Sequence, residues 1–70
     1  MKNNTFGQKL KLLRKKRGLT ERQLGECLNF SNQFVSFWEN GEREPKLDTL
    51  IAIAKFFDVS VDYLLGISEF

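Results

Sequence analysis

Apolar residues return every three or four positions along most of this chain, and short polar or glycine-bearing breaks separate the runs. Phe6, Leu10, Leu13 and Arg17 stand at i, i+4, i+7 and i+11, one face of a helix. Thr5-Phe6-Gly7-Gln8 has the form of a capping box and predicts a first helix that begins after Thr5. Gly18 is placed to end it in a left-handed cap. Thr20-Glu21-Arg22-Gln23 repeats the capping pattern ahead of Leu24 and Leu28, and Asn29 tolerates the left-handed stop. Ser31 suits the N-cap of a third helix running to about Trp38 or Glu39, before the break Asn40-Gly41 and a polar loop to Pro45. A fourth helix is predicted from Leu47 to Phe57, with Leu47, Leu50, Ile51, Ala54 and Phe57 on its apolar stripe. Lys46 is a poor cap for it, and Asp48 compensates in part through the helix dipole. Ser60 opens a short fifth helix carrying Val61, Leu64 and Leu65 before Gly66. The pattern is all-α: five short helices in a compact bundle. No repeat or linker divides the chain, so residues 1–70 are expected to form one domain with an ordered core of about 6–66.

Seventy residues lie near the lower limit for a self-contained core, yet 41% hydrophobic content with seven Phe, Trp38 and Tyr63 favours folding over disorder. The longest apolar run, Leu50 to Ala54, is far below the ~18–20 residues that span a bilayer. The N-terminus has neither an apolar signal region nor a small-residue cleavage site, which points to the cytoplasm. The chain has no His, one Cys and no glycine-rich phosphate loop. Its sequence therefore implies no enzyme, metal site, cofactor or small-molecule ligand. Cys27, three residues after Leu24, is expected to be a half-buried structural thiol.

Charge is divided unevenly. Residues 1–18 carry seven Lys or Arg and no acid, whereas residues 19–70 carry four cations against nine acids. A basic block of this kind suits a polyanion partner or is simply the solvated face of a helix, and charge alone does not choose. A wheel at about 100° per residue puts Ser31, Val35 and Trp38 on the inner side of the third helix with Phe34 at the edge. Asn32, Gln33, Ser36 and Phe37 take the remainder, with Gln33 and Phe37 in line opposite the core. Carboxamides pair bidentately with adenine N6 and N7, and they are equally at home on an ordinary polar surface.

A longer series stands in register: Gly18-Leu19-Thr20, Leu24, Ser31, Val35, Trp38-Glu39-Asn40-Gly41, Pro45, Leu47, Leu50, Ala54 and Val59 to Gly66. Over about residues 6–66 the chain resembles the Cro/phage-repressor type, or XRE-like, helix-turn-helix transcriptional regulators. The resemblance implies a lambda-repressor-like DNA-binding domain in which the third helix enters the major groove. It implies a bacterial or phage regulator, a repressor by preference, bound as a homodimer to a double-stranded DNA operator with half-sites ~34 Å apart. Carried onto this chain, the family pattern assigns base contacts to Asn32, Gln33, Ser36 and Phe37. It assigns phosphate contacts to Thr20, Gln23, Asn40, Arg43, Lys46 and Arg14, and a structural ion pair to Arg14 and Glu39. Tyr63, Ile67 and Phe70 are candidates for a dimer contact.

The chain also departs from the family. Glu21 stands where Gln is usual, Glu42 where a basic residue is usual, and Glu44 adds a further acid, so residues 19–45 carry two cations against five acids. Phe37 replaces a polar or basic residue. It could pack on a thymine methyl, anchor a protein interface or be a scattered surface apolar. The second option supports an alternative function: a protein-interaction adaptor or antirepressor-like module that keeps the fold and binds a protein through Phe37 and its neighbours.

Overall fold

In the computed structural model, which describes residues 4–67, the chain runs through α1 (Thr5–Lys16), α2 (Glu21–Leu28), α3 (Asn32–Asn40), α4 (Leu47–Phe57) and α5 (Val61–Leu65). No strand occurs among the described residues. Local chemistry accounts for most boundaries. The Thr20 capping box closes: Thr20 Oγ1 accepts from the Gln23 N–H at 3.0 Å, and Gln23 Oε1 accepts from the Thr20 N–H at 2.8 Å. The Ser60 hydroxyl caps α5 by accepting from the Tyr63 N–H at 2.9 Å. Gly18, Asn29, Gly41 and Gly66 all lie in the left-handed region just past helix ends.

Two expectations at helix starts are corrected. Thr5 forms no capping box: it is already the first helical residue, and Asn4 is the N-cap. Asn4 makes no side-chain cap bond; its carboxamide donates to the Glu39 carbonyl at 2.9 Å, so a tertiary contact takes the group that local capping would have used. Ser31 occupies the N-cap of α3, but its hydroxyl makes no cap hydrogen bond.

The core draws on all five helices: Phe6 and Leu10 of α1, Leu24 of α2, Val35 and Trp38 of α3, Leu50, Ile53, Ala54 and Phe57 of α4, and Leu64 of α5. The stripe read for α4 is therefore partly wrong. Ile53 is fully buried, whereas Leu47 is 70% and Ile51 39% exposed. Leu47 lies in the first turn, where no neighbouring helix covers it, and Ile51 is rotated off the Leu50–Ala54–Phe57 line. Arg17, at the end of the α1 face, stays exposed and lays its guanidinium 5.1 Å from the ring centres of Phe56 and Phe57.

Helix α1 meets the end of α3 through a residue without a side chain. A Cβ on Gly7 would lie 2.5 Å from the Trp38 carbonyl oxygen and 2.6 Å from that of Glu39. Beside this crossing, Arg14 Nε and Nη2 donate to Glu39 Oε2 and Oε1 at 2.6 and 3.0 Å. Arg14 Nη1 donates to the Leu19 carbonyl at 2.8 Å. Both residues are buried, and no buried side-chain N or O among the described residues lacks a partner. The hydrogen bond to Glu39 is the chief cause that raises the Arg14 pKa above its ordinary value. Glu21, first residue of α2, is half-buried nearby. Burial, and after it the Glu39 charge, pushes its pKa above the ordinary carboxylate range.

Three outcomes follow from this packing. Gly7→Ala should destabilise the domain by about 1–3 kcal/mol, because backbone rather than a flexible side chain must move; urea denaturation measures it. Glu39→Ala strands a buried guanidinium and should cost about 3–5 kcal/mol, read from the same curves. Glu21 holds its proton more tightly folded than unfolded, so its ionised form costs stability above its raised pKa and nothing below the unfolded value of about 4.3. Glu21→Gln should therefore raise stability at pH 7, with a gain that shrinks as the pH falls toward 4; a gain constant with pH would contradict this.

Candidate nucleic-acid interface

Helices α2 and α3 are held at a fixed angle by a three-residue turn, Asn29-Phe30-Ser31. Asn29 turns the chain at φ 63°, and the Phe30 N–H donates to the Gly25 carbonyl at 2.7 Å. Gly25 permits this closeness: a Cβ there would stand 2.6 Å from the Phe30 carbonyl oxygen. The Phe30 ring then packs edge-on against Phe34 (5.4 Å between centres) and Trp38 (5.1 Å), bracing the first two turns of α3 from the turn side.

The inner side of α3 consists of Val35, Trp38 and Glu39, all buried. Val35 and Trp38 match the wheel, and Trp38 is a core residue as expected. On the outer side Asn32 and Gln33 are exposed at the helix start, Ser36 and Phe37 are half-buried, and Asn40 is exposed at the end. Asn40 Nδ2 donates to Ser36 Oγ at 3.3 Å, which links two of the expected contact residues along one edge of the helix. Phe34, expected at the core edge, is 38% exposed with its ring leaning on Phe30 and Trp38.

The other expected contacts divide into three groups. Thr20 and Gln23 are exposed at the start of α2, with Thr20 Oγ1 and Gln23 Oε1 engaged in the cap. Arg43 and Lys46 are exposed on the α3–α4 segment, and Lys46 is the N-cap of α4. Arg14 corrects the phosphate set: it is 8% exposed and all three of its nitrogens donate to Glu39 or Leu19, so it holds the bundle together from inside. Cys27 is a second correction, being exposed rather than half-buried. The covered side of α2 is centred between Leu24, Gly25 and Leu28, and Cys27 falls about 100° away from it.

Three features had no signal in the sequence. The Arg43 guanidinium carbon lies 4.9 Å from the centre of the Phe37 ring. The Phe37 carbonyl accepts the Glu42 N–H at 2.9 Å and the Arg43 N–H at 3.4 Å, tying the loop to the end of α3. An open groove of about 470 Å³ is lined by Phe30, Phe34 and Trp38 together with residues 43–46, Asp48 and Thr49. It lies on the surface and not within the core. No cluster of metal-ligating side chains occurs among the described residues, and no helix there is long and apolar enough to cross a membrane. The exposed amides at the start of a rigidly held helix can recognise a hydrogen-bonding edge.

The helix-turn-helix family matches residues 10–64 of the chain. The chain is 40% identical over 65 residues to the HTH-type transcriptional regulator ImmR of Bacillus subtilis, covering 93% of this chain and 51% of that protein. It is 42% identical over 64 residues to the HTH-type transcriptional activator BcrR of Enterococcus faecalis, covering 91% and 31%. Repressor protein C2 of Salmonella phage P22 is 35% identical over 65 residues, covering 93% and 30%. The chain thus spans about half or less of the length of these relatives. Its fold superposes on a crystal structure of the P22 c2 repressor in complex with a synthetic operator with a TM-score of 0.83 and 35% identity, covering 90% of this chain and 96% of that one. The solution structure of the P22 c2 DNA-binding domain matches with a TM-score of 0.79 and 34% identity, covering 93% and 88%. With the matched span, the identities and the architecture in agreement, this chain belongs to the helix-turn-helix family.

Proposed function

We propose that this chain is the DNA-binding part of a transcriptional regulator that lays α3 in the major groove of an operator. The observation that carries the reading is the pair of exposed carboxamides, Asn32 and Gln33, at the start of α3, on a scaffold that superposes on an operator-bound repressor. Helix N-terminal residues are the ones that reach base edges in this docking geometry. Gln33 is the principal base reader; Asn32 stands beside it, and Ser36 and Phe37 follow one turn later. Thr20 and Gln23 at the start of α2, with Asn40, Arg43 and Lys46 beyond α3, are the phosphate contacts that set its register.

Repression is the favoured outcome of binding, because two phage repressors stand among the relatives. A cytoplasmic location goes with this reading. A homodimer on an inverted repeat is part of it as well. Of the dimer candidates, Ile67 is 73% exposed, Tyr63 is half-buried under the Lys9 ammonium at 4.2 Å, and Phe70 lies outside the described residues. Leu47 and Ile51, one turn apart and exposed on α4, join that list. The acidic balance of residues 19–45 gives weak sequence-independent affinity, since that contribution scales with phosphates neutralised. The adaptor reading has less support, because the Phe37 ring carries Arg43 and is half-buried.

Selection from a random duplex library with the purified protein should return a palindromic, salt-sensitive site. On that site Gln33→Ala should lose about 1–3 kcal/mol of discrimination at one base pair per half-site while other positions keep theirs. An unchanged preference in the variant would remove Gln33 from its role; no enrichment with the parent protein would remove the DNA reading itself.

A further inference from the structure

Phe37 is the apolar residue on the outward column of α3, one turn beyond Gln33. We propose that it is a positioning residue: its ring is the platform that holds the Arg43 guanidinium beside the DNA-reading face, so that Arg43 meets a phosphate. The inference rests on the DNA-reading function and deepens it. Two independent contacts place Arg43 there. The Arg43 guanidinium lies 4.9 Å from the ring centre, and the Phe37 carbonyl accepts the N–H groups of Glu42 and Arg43. Side chain and backbone of one residue thus fix both ends of the loop residue.

The type of contact matters. A carboxylate partner would engage the in-plane N–H groups of a guanidinium, which are the groups that recognise a phosphate oxygen. A ring takes the face of the guanidinium and leaves those donors in the plane. Immobilising a long side chain beforehand also removes part of the entropy that binding would otherwise cost. The surroundings make placement useful: Glu42 and Glu44 flank Arg43 in the chain, and the reading unit is acidic overall. A cation fixed toward the helix face offsets those acids where a backbone would pass.

The test uses binding to a short mixed-sequence DNA duplex, followed by fluorescence anisotropy between about 50 and 200 mM salt, and it needs no operator. Arg43→Gln should make the log–log salt slope shallower by about 0.9, the value of one phosphate contact. Phe37→Leu, which keeps apolar bulk without a π face, should show the same loss, and the double variant should lose no more than either single one. Phe37→Tyr should keep the parent slope, separating the ring's role from general damage to the fold. If Phe37→Leu weakens binding with the parent slope, or if the two losses add, Phe37 does not act through Arg43. A parent slope near zero would instead overturn the DNA reading, and this inference with it.

Discussion

A buried guanidinium is costly to keep unless it is paired and hydrogen-bonded, and the ion pair of Arg14 with Glu39 organises this molecule because it meets that condition. The two side chains meet bidentately, and the remaining nitrogen bonds the Leu19 carbonyl in the α1–α2 turn. One charged group therefore ties together α1, the entry to α2 and the end of α3. The Asn4 carboxamide adds a bond to the backbone of the same Glu39, and Gly7 lets α1 come close enough for all of this to form. Attraction within such a pair is largely offset by the desolvation of both charges, so losing one partner costs more than the intact pair contributes. The half-buried Glu21 beside the pair shows the cost of such a design, since a third charge there has no equally good partner.

That fixed placement is what gives the outer face of α3 its meaning. Amides at the start of a helix read an edge only if the helix cannot roll. Val35 and Trp38 hold it from the core, Glu39 from α1, and Phe30 from the turn. The charge distribution shows a division of labour. The basic residues concentrate on α1, while residues 19–45 are acidic, with cations placed individually at Arg43 and, just beyond, Lys46. A surface of this kind suits contacts that depend on position more than on the sum of charge.

Much of this was legible in the chain. The Thr20 box, Gly18, Asn29 and Gly41 mark helix ends through interactions within four residues, which is the range over which a sequence pattern carries information. The wheel of α3 separated Val35 and Trp38 from Asn32 and Gln33 because a helix surrounded on one side has a simple inside and outside. The same logic failed at Leu47 and Ile51, where the end and the flank of α4 have no neighbour to cover them, and at Cys27, just beyond the covered side of α2. It also failed at Thr5, whose expected cap was displaced by Asn4 reaching across to Glu39. The family pattern gives Arg14 both an ion pair and a phosphate contact; burial leaves only the first.

The sequence by itself determined the number and type of the helices, most of their ends, the polarity of the α3 faces and the family pattern, because each depends on local hydrogen bonding or on helical period. The tertiary structure alone decided which apolar residues are covered, that Arg14 is sealed inside, that Phe30 braces α3 and that Arg43 rests on Phe37. Those depend on what stands opposite a side chain once the helices have met, and no spacing along the chain encodes that.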